Sequence, residues 1–144
     1  MNILIFYSGQ IIPNSGGVQN VALSIADYLS SNGNYVYFLS FDRIVEKGEN
    51  YFFLPNSDKI NSTLNVDYTL DLLNKYAVDV ILNLDGLNLN VLKFLLKIRG
   101  GNKIFNVIHN TFLPQNVFFN KYVNIFFKAY YLFVFYIFKQ IYYF

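Results

Sequence analysis

Short, almost unbroken apolar runs alternate along this chain with stretches in which apolar residues recur every three or four positions. Asn2–Tyr7 is such a run, closed by Ser8-Gly9, and reads as a strand buried on both faces. A polar loop containing Gly and Pro occupies residues 8–17. Val18, Val21, Ala22, Ile25, Ala26 and Leu29 then fall on one stripe of a helix, which Ser30-Ser31-Asn32-Gly33 ends with Gly33 as a left-handed stop. Residues 35–41 are rich in β-formers and predict a second strand. The stretch 42–66 is polar, and within it Tyr51–Leu54 predicts a short strand stopped by Pro55. Leu70, Leu72, Leu73 and Tyr76 predict a helix over 67–76. Val78–Leu84 reads as another buried strand, with Asp85-Gly86 at its end. Leu87–Ile98 is an apolar helix closed by Gly100-Gly101, and Lys103–Ile108 is the next strand, with His109-Asn110 just past it.

Strands alternating with helices give the βαβ rhythm. Right-handed crossovers then make the fold α/β, a Rossmann-like parallel sheet with helices on both faces. Ligands of such sheets bind beyond the carboxyl ends of the strands. Loops 8–17, 42–50, 85–88 and 109–116 all fall at that edge.

The segment 118–144 breaks the rhythm. It holds 14 aromatic residues in 27, with basic residues only at Lys121, Lys128 and Lys139. Their spacings of 7 and 11 place them within about 20° of one another around an α-helix. Phe119, Phe126, Tyr130, Phe133, Ile137 and Ile141 fall on the opposite side. The longest stretch there without charge, Ala129–Phe138, is ten residues, against the ~20 that a spanning helix needs. An interfacial helix with snorkelling lysines fits this pattern best. A core helix packed against another part of the protein, and a poor membrane span, remain the alternatives. The chain thus divides into 1–116, the sheet, and 117–144, an aromatic and basic helical tail.

Composition narrows the chemistry. With 54% hydrophobic and 14% charged residues in 144, the chain is not of the disordered class. It has no cysteine and one histidine, which excludes disulfides, thiolate nucleophiles, Cys-ligated zinc and a His-rich metal site. The formal net charge is +2, but residues 1–85 hold four basic and nine acidic side chains, whereas 86–144 hold seven basic ones and no acid. Such asymmetry points to an anionic partner surface, or to a solvated basic face. Ile3-Leu4-Ile5-Phe6 is too short, and lacks the basic flank, to be a cleavable signal.

The loop from Gly9 to Gln19 is the most informative. Gly16 and Gly17 open the first helix, where missing Cβ atoms let backbone N–H groups approach a diphosphate or a sugar hydroxyl. A tight strand-to-helix turn would also use glycine. The Walker loop is excluded, because Val18-Gln19 stands where a Lys-Ser/Thr pair belongs. The dinucleotide fingerprint is excluded by the distance between Gly9 and Gly16, so Asp42 at the end of the second strand is weak as a ribose-binding acid. A receiver-type phosphoacceptor site needs paired acids after the first strand, and there are none. His109 is either a structural hydrogen-bonding residue or a member of a site at the same edge. Asp85 shares that edge, as a general base or a solvated loop acid.

The first strand, the loop ending Gly16-Gly17-Val18-Gln19, the helix after it, the Val78-Asp79-Val80-Ile81 strand and His109-Asn110 together resemble a family 4 glycosyltransferase. The resemblance covers about 110 residues and rests on order and spacing. It implies the N-terminal domain of the GT-B fold, in which two Rossmann-like domains face each other across a cleft. It further implies retaining transfer from a nucleotide sugar, with Gly16 and Gly17 against the donor diphosphate and sugar. Gln19 stands where the family has Glu or Gln, and His109 would position the donor sugar. The nucleotide sugar is a substrate; no cofactor and no metal is implied, and nucleic acid is not a partner.

The family's second domain carries a pair of glutamates, and no such pair exists here. The expectation is therefore a truncated, acceptor-side part of such an enzyme, inactive alone. It would act in bacterial cell-surface polysaccharide or glycolipid synthesis. It would be cytoplasmic and peripheral on the inner face of the plasma membrane, with an acceptor glycan or lipid-linked glycan and an anionic membrane as partners. The alternatives are a non-enzymatic, membrane-associated α/β module that binds a partner, and a small nucleotide-binding Rossmann protein.

Overall fold

The computed structural model describes residues 1–12, 16–42, 48–86 and 88–107. Five strands, β1 (Asn2–Tyr7), β2 (Tyr35–Ser40), β3 (Tyr51–Phe53), β4 (Val80–Asn83) and β5 (Lys103–Asn106), form one sheet in the order β3-β2-β1-β4-β5. Every pairing is parallel. Helices α1 (Gly17–Ser31), α2 (Thr63–Lys75) and α3 (Leu89–Ile98) connect the strands. The fold is α/β and Rossmann-like, as the alternation predicts.

The sheet separates two cores. On one face Leu4, Phe6, Leu39 and Ile81 meet Leu72 and Leu73 of α2 and Val91, Phe94, Leu95 and Ile98 of α3. Phe6 and Phe94 are both fully buried, their ring centroids 5.4 Å apart. On the other face Ile5, Val36, Phe38 and Leu84 meet α1. Since β1 is central and covered on both sides, Ile3, Leu4, Ile5 and Phe6 are all buried, which is why its sequence does not alternate. The buried spine of α1 is Ala22 and Ala26, small residues that allow close approach to the sheet, while Val21 lies on an exposed flank.

The ends of the elements follow local chemistry. Gly33 takes φ 77° after α1, the left-handed conformation expected of it, and Gly100 takes φ 49° after α3. The helix predicted over 67–76 begins earlier, at Thr63, because Ser62 accepts the Asn65 N–H as an N-cap. Likewise Asn88 caps α3 through the N–H groups of Asn90 and Val91. Strand β4 is shorter than the predicted 78–84, although Val78 and Leu84 are both buried beyond its ends.

What positions a site is the reversal of strand order. The chain moves outward from β1 through β2 to β3, then returns across the sheet to lay β4 on the free side of β1. Where two such halves meet, the loops leaving adjacent carboxyl ends diverge, and a crevice opens. Here those ends belong to β1 and β4.

Candidate active site

At the carboxyl end of β1 the chain continues as Ser8, and at that of β4 as Leu84-Asp85. The backbone N–H of Ser8 donates to Asp85 Oδ2 at 2.6 Å, and the Ser8 hydroxyl donates to Asp85 Oδ1. On the far side of β4, Asn83 is fully buried. Its Nδ2 donates to the Gly86 carbonyl at 3.1 Å and to Asn106 Oδ1 at 2.7 Å, while its Oδ1 accepts the Asp85 N–H at 3.1 Å. On the β2 side, the Asp42 N–H donates to the Ser8 carbonyl at 3.0 Å, and the Ser40 hydroxyl donates to the Asp42 carbonyl at 2.9 Å. A hydrogen-bonded line therefore crosses the carboxyl edge from β5 to β2, with Asp85 and Ser8 at its middle.

Electrostatics single out the same place. Burial pushes the Asp85 carboxyl above the usual carboxylate range, and the two hydrogen bonds from Ser8 only partly offset it. The Tyr7 phenol is pushed up by burial first, then by the charges of Asp85 and Asp42. Gly9 makes room for its ring: a Cβ there would fall 2.7 Å from Tyr7 Cε1.

Gly16 and Gly17 begin α1 as it leaves this edge. Gly16 is the N-cap, with extended backbone (φ 165°), and among the described residues no side chain caps the helix and its first turn holds no acid. Gln19, at the third helical position, folds back so that a Cβ on Gly16 would lie 2.6 Å from its Oε1. Around Gly17 nothing would meet a Cβ within 4 Å, and its φ is not in the left-handed region. Among the described residues, neither backbone conformation nor crowding requires glycine at position 17.

Of the residues singled out in the sequence, Gly16, Gly17 and Gln19 share the first turn of α1, and Asp85 joins Ser8 at the β1–β4 junction. His109 and the tail 117–144 lie outside the described residues. Sequence reasoning missed Ser8 and Asn83. The signal for Asn83 was present, a carboxamide inside the apolar run Val80-Ile81-Leu82-Asn83-Leu84; Ser8 gives none, because serine after a strand is ordinary turn chemistry. Among the described residues no three His, Asp or Glu side chains converge as a metal site, and no helix is long and apolar enough to cross a membrane.

A separate groove of about 430 Å³ runs along the flank of α1, lined by Asn20, Val21, Ser24, Ile25, Tyr28, Leu29 and, from β4, Leu82. It is apolar and is not part of the carboxyl-edge cluster. Compared with family models, with curated proteins and with solved structures, the chain matches none.

Proposed function

We propose that the chain is the N-terminal, acceptor-side part of a retaining glycosyltransferase that uses a nucleotide-sugar donor in the synthesis of a cell-surface polysaccharide or glycolipid. The observation that carries this reading is Gly17. It is a glycine that neither its backbone angles nor any described neighbour requires, in the first turn of a helix with no side-chain cap among the described residues, after the strand at which the order reverses. Aligned backbone N–H groups and the positive end of the helix dipole favour a phosphate there, and the missing Cβ leaves room for it. On this reading Gly16 and Gly17 lie against the donor diphosphate and sugar, Gln19 lines the same turn, and His109 positions the sugar. The glutamate pair of the donor side is not among these 144 residues, so the chain alone binds without turning over. Its basic tail meets anionic lipid at the inner face of the membrane.

Pyrophosphate titrated into the full chain by calorimetry tests the reading. Binding is expected for the natural chain, with a loss of about tenfold or more for Gly17→Val at an unchanged melting temperature. Equal affinity in the two proteins would leave the turn purely structural.

A non-enzymatic, membrane-associated module that binds a partner is favoured by one observation, the apolar groove along α1, where Tyr28 is 70% exposed. That reading predicts no pyrophosphate binding at all.

A further inference from the structure

Helix α3 has two sides of opposite character. Val91, Phe94, Leu95 and Ile98 are buried against the sheet. Leu89, Lys93, Leu96 and Lys97 fall on the far side, within about 100° of one another around the axis. The two leucines stand near the middle of that side, 45% and 47% exposed, and both lysines are exposed beside them. Lys97 Nζ donates to the Asn61 carbonyl at 3.2 Å, which holds its cationic end at the surface. Leu89 and Leu96 are two turns apart and make an apolar line about 10 Å long. They add nothing to the core under the helix, so the sheet does not explain why they are leucine.

The charge on this side has one sign. Helix α1 carries Asp27 as its charged residue and α2 carries Asp67, Asp71 and Lys75, whereas α3 carries Lys93 and Lys97 alone. Residues 86–144 contain no acid, so nothing that follows α3 in this sequence can neutralise it. The one acid outside the described residues is Glu46, in the connection from β2 to β3. Because Asp67 and Asp71 belong to α2, the positive surface is the outer side of α3 rather than the whole helical layer. An acidic protein or a nucleic acid would engage the lysines and leave the leucines wet. An anionic bilayer uses both, since leucines enter the boundary of the acyl chains while lysines lay their stems along it and keep their charges at the headgroups.

We propose that the outer side of α3, formed by Leu89, Lys93, Leu96 and Lys97, docks on an anionic lipid bilayer. The inference goes beyond a membrane contact made by the tail, because it puts a docking surface on the sheet domain itself. It stands whether or not the chain takes part in glycosyl transfer.

The chain has no cysteine, so an environment-sensitive fluorophore can be attached singly to the full chain through Leu96→Cys or, on α1, through Tyr28→Cys. Vesicles of phosphatidylglycerol and phosphatidylcholine are expected to shift the emission at position 96 to the blue and to leave position 28 unchanged. Vesicles of phosphatidylcholine alone should do little at either position. In the unlabelled chain, Lys93→Gln with Lys97→Gln should weaken binding to the anionic vesicles about tenfold. Leu89→Ser with Leu96→Ser should weaken it too, with the salt dependence kept. Vesicle binding with no shift at position 96 overturns the proposal and leaves the contact to the tail. Absence of vesicle binding overturns it as well, as does a shift at position 28 equal to or larger than that at 96. So does a shift at 96 that grows with protein concentration in the absence of lipid, the sign of a second copy on this face.

Discussion

Because burial raises the Asp85 pKa in the folded chain above its ordinary value, the folded form takes up a proton there before the unfolded form does as pH falls. The contribution of Asp85 to stability therefore rises as pH drops through the folded pKa, and it levels off below the ordinary value of 3.8. Asp85→Asn removes that slope. Urea unfolding of the two proteins from about pH 7 to about pH 3 should show the variant gaining most, relative to the natural chain, at neutral pH and least in acid. A difference that does not change with pH would mean that Asp85 titrates alike folded and unfolded. At this scale the glycine doublet was legible, since two adjacent glycines before a helical stripe have few uses. The Ser8–Asp85 pair was not, because the two residues are 77 positions apart and only the strand reversal brings them together.

Element boundaries turn on side chains that change sides. The stretch 42–66 reads as polar, with the helix predicted only from residue 67, yet Asn65 is fully buried inside α2. Its Oδ1 accepts the Asn56 N–H at 2.8 Å, and its Nδ2 faces the carbonyls of Asn56, Lys59 and Ile60 at 3.0–3.1 Å. One carboxamide thus pins the loop between β3 and α2 to the helix, which hydropathy alone does not reveal. Asn65→Ala leaves those backbone groups without their partner and should cost about 2–3 kcal/mol in urea unfolding. A loss below about 0.5 kcal/mol, the range of ordinary surface changes, would show that water replaces the amide freely. The apolar runs, by contrast, marked every strand, most plainly the central β1, where cover on both faces leaves little room for polar side chains.

Over the whole molecule the charge is divided along the sequence, and the basic part includes Lys93, Lys97, Arg99 and Lys103 as well as Lys121, Lys128 and Lys139. The chain should bind vesicles containing anionic lipid, bind neutral vesicles less, and release as salt rises. Replacing Lys121, Lys128 and Lys139 with Gln should weaken that binding by about 1 kcal/mol per lysine at most. Retention that ignores both lipid charge and salt would exclude an electrostatic role for the tail. The sheet order also bears on how the chain reaches its native state. Asn2 pairs with Tyr35 but Ile3 with Val80, so one border of the central strand closes over a short span and the other over more than twice that. During synthesis β1 must wait, with one side unsatisfied, until β4 has left the ribosome. Pairing β1 with β4 closes the longer loop, so that junction costs more chain entropy to form than the pairing of β1 with β2.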